Sequence, residues 1–130
     1  MGWSQILFVA FKSSGELDLA ILKEIPEIPG IYAIATKLSN GNHVLKYVGR
    51  SGKSIRQRLL DHLTGRGNKR IAEQIKFKQQ VLSSPQQGFS VAYFPTAEDK
   101  LWEAAYLDVV DKIDLPLMNM VRALLPHGWK

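Results

Sequence analysis

Two short runs rich in β-branched, aromatic and small apolar residues, Gly30 to Lys37 and Val44 to Gly49, flank Ser39, Asn40, Gly41 and Asn42. An Asn-Gly step between such runs favours the positive-φ turn that joins antiparallel strands, so this part of the chain is expected to form a hairpin. Everything else must be arranged around that pair. Phe89 to Phe94 alternates as a third strand would, whereas Ile6 to Phe11 is apolar without a deciding period and could be a strand or a helix end. Glu16 to Ile25 has near-helical apolar spacing, stopped by Pro26 and Pro29. Ser54 with Gln57 makes a capping box for a helix whose stripe is Ile55, Leu59 and Leu63, ended by Gly65 and Gly67. Asn68 to Leu82 reads as a second, basic helix. Thr96 with Asp99 caps a third that runs to about Ile113, and Pro116 breaks the chain before a short closing helix near Asn119 to Leu125. The expected fold class is therefore α+β: one domain over residues 1–130, with a small antiparallel three-stranded sheet flanked by helices rather than a doubly wound parallel sheet.

Charge narrows the partner. From Lys46 to Lys78 there are ten basic residues against Asp61 and Glu73, so this window carries +8 while the whole chain carries +5. A solvated helix usually interleaves both signs, and such one-sidedness fits a polyanion. Lys46, Arg50, Lys53, Arg56, Arg66, Lys69, Arg70 and Lys76 are the candidate nucleic-acid contacts, with DNA and RNA both open on charge alone. The absence of cysteine excludes disulfides, thiolate metal sites and a cysteine nucleophile. With no apolar run of membrane-spanning length and no signal-peptide pattern, the expected setting is cytoplasmic, nucleoid or nuclear, not membranous or secreted by that route.

The hairpin also carries a signature. Gly30-Ile31-Tyr32 on its first strand and Tyr47-Val48-Gly49 on its second are followed by Arg58 and His62 in an Arg-x-x-x-His pair, then Glu103 in a late helix and Asn119 after a proline. Over roughly residues 29–119 this series resembles the GIY-YIG nucleases. Tyr32 and Tyr47 stand fifteen residues apart, a few more than usual, and Arg58 lies one residue further from Gly49 than is common. The resemblance implies a phosphodiesterase whose catalytic set is Tyr32, Tyr47, Arg58, His62, Glu103 and Asn119. It further implies one divalent cation, Mg²⁺ or Mn²⁺, held by Glu103.

The residue types suit those roles. A carboxylate at the border of the apolar arc Trp102, Tyr106, Val109, Val110 and Ile113 is poorly hydrated and suited to a hard cation, although a glutamate near a helix start also has an ordinary place beside the macrodipole. Arg58 and His62, one turn apart, are expected to reach one phosphate together, the arginine by paired hydrogen bonds and the histidine as a proton relay. Tyr32 is the expected general base or positioner of the nucleophile, with Tyr47 supporting it. Asn119 is expected to orient Glu103 or to close the C-terminal segment onto the site, with a plain helix cap as the alternative.

Gly49 to Ser54 also resembles the end of a phosphate-binding loop, but the glycine such a loop needs five residues before Gly52 is replaced by Tyr47. ATP hydrolysis is set aside, while the start of the helix at Ser54 keeps the capacity to bind a phosphate through backbone amides. The expected function is a divalent-metal-dependent endonuclease acting on DNA. The alternative is a nucleic-acid-binding module of the same fold without turnover. No second DNA-reading domain is recognisable, so specificity is expected to come from the domain's own loops or from a homodimer partner, or to be low.

Overall fold

The computed structural model describes residues 3–37, 43–81 and 88–104. Four strands, β1 (Leu7–Ala10), β2 (Gly30–Lys37), β3 (His43–Ser51) and β4 (Gly88–Pro95), form one antiparallel sheet in the order β1-β4-β2-β3. The α+β class stands as expected, but the sheet has four strands rather than three. The ambiguous run near the N-terminus supplies the extra one: Leu7 and Val9 point into the core while pairing with Val91 and Phe89 of β4. Its four residues are too few to show a period of their own, so its strand identity comes from the partner it pairs with.

β2 and β3 pair as the hairpin signal predicts, with Tyr32 opposite Gly49 and Ile34 opposite Tyr47. The register then shifts, so that Ala35 faces Leu45 and Lys46 is the bulged residue. The turn itself, at 38–42, lies outside the described residues.

The stretch expected as a helix from Glu16 to Ile25 is a 3-10 helix at Leu19–Glu24, with Asp18 accepting from the Ala20 amide. Leu17 is drawn instead into a β-bridge with Phe11, which leaves too few residues before Pro26 for a packed α-helix. Helix α1 (Ile55–Leu63) starts at Ser54, whose hydroxyl accepts from the Gln57 amide. Only half of the capping box forms, because the Gln57 side chain donates to Asp61. Helix α2 (Lys69–Val81) is opened by Asn68, which accepts from the Arg70 and Ile71 amides. After β4 the Thr96 hydroxyl accepts from the Glu98 amide and residues 99–104 are helical, here called α3. The expected continuation to Ile113, the break at Pro116 and the short helix from Asn119 fall outside the described residues.

β2 is the centre of the molecule. Its residues Ile31 to Ala35 are wholly buried, alternating between two apolar clusters. Tyr32 and Ile34 belong with Ile55, Leu59 and Leu63 of α1 and Ile71 and Ile75 of α2. Ile31, Ala33 and Ala35 lie on the opposite face with Val48, Ala92 and Phe94, against which Trp3 and Ile6 pack. Among the described residues no helix is long and apolar enough to cross a membrane.

Candidate active site

An open groove of about 960 Å³ runs past the end of the β2–β3 pair, lined by Tyr32 of β2, Tyr47 and Arg50 of β3, Lys53, Gln57 and Arg58 around α1, and Glu103 of α3. Four of the six residues expected to be catalytic thus converge from four separate elements. Asn119 lies outside the described residues. His62 does not line the groove.

The two tyrosines project from the same face of the hairpin and meet at a ring-centroid distance of 6.2 Å. Room for this arrangement is made by Gly49, directly across from Tyr32: a Cβ there would lie 2.6 Å from Tyr32 Cζ and 2.7 Å from Tyr47 Cε2. Only glycine lets the rings lie flat over β3 at that point.

His62 sits behind the tyrosines, 1% exposed, with its ring 5.5 Å from that of Tyr32 and 4.9 Å from that of Tyr47. Its Nδ1 accepts from the Asn68 backbone amide at 2.9 Å. A backbone amide can only donate, so Nδ1 is unprotonated and the neutral ring carries its proton on Nε2. Nε2 is 2.6 Å from the Tyr32 hydroxyl, and in this tautomer it donates to it. Burial, aided by the positive charge of Arg58, pulls the imidazole down to about 4, so it is neutral at pH 7. His62 therefore does not reach the groove beside Arg58, and its link to the groove runs through the Tyr32 hydroxyl. It orients Tyr32.

Burial is also the largest influence on Tyr32, raising it well above an ordinary phenol, with Tyr47 adding to the rise and Arg58 opposing it. Tyr47 is raised by burial and then by Glu103. Neither phenol is a ready base at neutral pH. Tyr32 accepts from His62 and is fully buried in the free protein, its hydroxyl held in place at the inner wall of the groove.

Glu103 is half-buried, and desolvation raises its carboxyl; Arg50 opposes the rise and Asp99 adds to it. Arg50 bridges the two, with Nη1 3.0 Å from Asp99 Oδ2 and Nε 3.4 Å from Glu103 Oε1. Among the described residues no group of three or more metal-ligating side chains converges. A cation such as Mg²⁺ needs only one or two carboxylates, completing its shell with water and phosphate oxygens. A half-buried carboxylate facing an open groove fits that demand.

The basic residues divide. Arg50 and Lys53 line the groove with Arg58. Arg56 does not: Nε donates to the Ile25 carbonyl at 2.6 Å and Nη2 to the Lys23 carbonyl at 3.0 Å, while Nη1 pairs with Glu27 at 3.3 Å. It ties the end of the 3-10 helix to α1, which corrects its expected place among the nucleic-acid contacts. Lys46 occupies the bulge of β3; burial lowers the Lys78 ammonium, and the charge of Lys46 adds to that. Arg66 donates to the Thr64 hydroxyl and reaches Asp61 only at 4.0 Å. Lys69, Arg70 and Lys76 are exposed on α2. At the start of α1 several amides already have partners: the Lys53 and Ser54 amides donate to the Ser51 hydroxyl, the Gln57 amide to the Ser54 hydroxyl and the Ile55 amide to the Ile28 carbonyl.

Sequence reasoning missed Asp99 as anything but a cap, and it missed Asn68 and Gly67 as parts of the site. Gly67 packs on the imidazole, where a Cβ would lie 2.9 Å from His62 Cε1. The Gly-x-Gly-Asn run after a histidine was a legible sign of a tight helix-to-helix link. No family model matches the chain, and neither a curated protein nor a solved structure matches it.

Proposed function

We propose that this protein is a divalent-metal-dependent endonuclease of the GIY-YIG type that hydrolyses phosphodiester bonds of DNA. The observation that supports this most is the meeting of Tyr32, Tyr47, Arg58 and Glu103 in one open groove, since their sequence order alone does not require them to share a surface. The paired strands, α1 and α3 each contribute to that meeting.

In this reading Glu103 would hold the cation, with Mg²⁺ or Mn²⁺ supplying positive charge to a phosphoryl oxygen. Arg58 donates to the non-bridging oxygens, whose charge grows in the transition state. Water attacks phosphorus in line, forming the new P–O bond as the bond to the 3′ oxygen breaks; one water proton passes to solvent and the other stays on the new phosphate hydroxyl, while the leaving 3′ oxygen takes a proton from solvent. Tyr32 fixes the position of the attacking water or of the phosphate through its hydroxyl, which His62 holds. It serves as a positioner rather than as a base, because burial keeps it protonated in the free enzyme. Tyr47 packs against both rings and shapes the wall beside the phosphate.

Nicking of supercoiled plasmid in Mg²⁺ or Mn²⁺, measured beside binding, tests the reading. Wild-type protein is expected to nick, and Glu103→Gln to bind DNA with little change but not cut. Tight DNA binding with no metal-dependent cleavage by wild type would instead establish a binding module without turnover.

A further inference from the structure

Asp99 stands three residues after Thr96, where a capping box would have its carboxylate reach back to the Thr96 amide. It does not do so. The Thr96 amide donates instead to the Pro29 carbonyl at 3.1 Å, and the Asp99 carboxylate is directed across the groove to Arg50 of β3. The residue is 7% exposed, and Arg50 Nη1 is its partner at 3.0 Å. One turn further along α3, Glu103 engages the same guanidinium more loosely, at 3.4 Å through Nε. A local cap has thus been given up for a long-range ion pair whose second carboxylate is the proposed cation ligand.

Asp99 and Glu103 compete for one arginine. Without Asp99, Arg50 would have Glu103 as its remaining carboxylate partner among the described residues and would occupy the oxygens a cation needs. With Asp99 present, most of the arginine's attraction is met elsewhere, and the three groups together carry one net negative charge. We propose that Asp99 is a positioning residue that takes the shorter contact with Arg50, keeps the arginine's contact with Glu103 to the looser one through Nε, and so leaves the Glu103 carboxylate able to take a divalent cation. This rests on the proposed function for the role of Glu103 and adds a residue to it.

Mn²⁺ binding by the full chain, followed by the electron paramagnetic resonance signal of free Mn²⁺ without DNA, reads this directly. Asp99→Asn is expected to weaken binding by about 10- to 100-fold, the range for losing a group that supports a metal ligand. Arg50→Gln should bind at least as tightly as wild type, since a competing cation is gone. The double variant should return to near wild-type affinity, and it is also the safer fold, because both partners of the buried pair are removed together. If Asp99→Asn binds Mn²⁺ like wild type, or if the double variant stays as weak as Asp99→Asn, the inference is overturned. Failure of wild-type protein to bind Mn²⁺ at all would overturn it too, but by removing the proposed metal site, and a wild-type control in the same series separates the two failures.

Discussion

Burial draws the His62 imidazole down to about 4 from an ordinary 6.5. Between those values the unfolded chain binds a proton that the folded chain refuses, so stability is full above pH 6.5, falls as the pH drops, and levels below about pH 4. At about 1.4 kcal/mol per pKa unit the loss is at most about 3.5 kcal/mol. Urea denaturation at pH 7.0 and 4.5 should reveal it in wild type, with a much flatter dependence in His62→Gln; equal slopes would mean that another group carries the effect. The two neighbouring arginines of α1 separate just as clearly. Arg58 faces the groove, and its only ion pair among the described residues is a loose one to Asp61 at 3.8 Å. Arg58→Ala should therefore slow single-turnover cleavage roughly a hundredfold or more, as loss of a contact made in the transition state does, with little change in stability. Arg56→Ala should do the reverse, costing about 1 to 3 kcal/mol because two carbonyls lose a charged donor, while turnover at saturating enzyme is kept. Chemistry lost in Arg56→Ala and retained in Arg58→Ala would place the groove on the wrong side of the helix.

The link between α1 and α2 does more than turn the chain. Gly67 lets the loop close on the His62 ring, and the next amide, Asn68, fixes its tautomer, so the hydrogen-bond chain to Tyr32 starts in a helix connection. Gly67→Ala is expected to push the imidazole off that amide, lowering stability by about 1 to 3 kcal/mol and slowing cleavage without weakening DNA binding. A variant with unchanged melting temperature and rate would show that the loop has slack. The tight link is legible in sequence from Gly65, Gly67 and Asn68, but nothing there marks its contact with the imidazole. The hairpin, α1, α2 and β4 were legible because each has a period and bounding turn residues of its own. β1 and the 3-10 helix were not, since four-residue and six-residue segments take their form from what they pack against. The groove residues could be picked from spacing, but Arg58 and His62 lie about 40° apart on α1, and that angle alone did not reveal that one enters the groove while the other is buried.

Across the whole molecule, a basic window is not the same as an available basic surface. Arg50, Arg56, Arg58 and Arg66 each have a carboxylate within 4.0 Å, so much of their charge is already met inside the fold. Lys53, Lys69, Arg70 and Lys76 have no such partner among the described residues, and all four are exposed. On the proposed function, the division would give different work to the two sets: docking of the polyanion to α2 and Lys53, and transition-state contact to Arg58. Counterion release makes each phosphate contact steepen the dependence of log K on log salt by about 0.9. Reversing Lys69 and Arg70 to Glu should therefore weaken DNA binding for every sequence and flatten that slope by about two units. Turnover at saturating enzyme should be unaffected, because neither residue lines the groove. Arg58→Ala should leave the slope nearly as steep as in wild type while the rate collapses. A titration of affinity from low to moderate salt, run beside single-turnover rates for both variants, separates docking from chemistry. If Lys69 and Arg70 can be reversed with no change in slope, α2 is not the docking face, and the groove itself must carry both tasks.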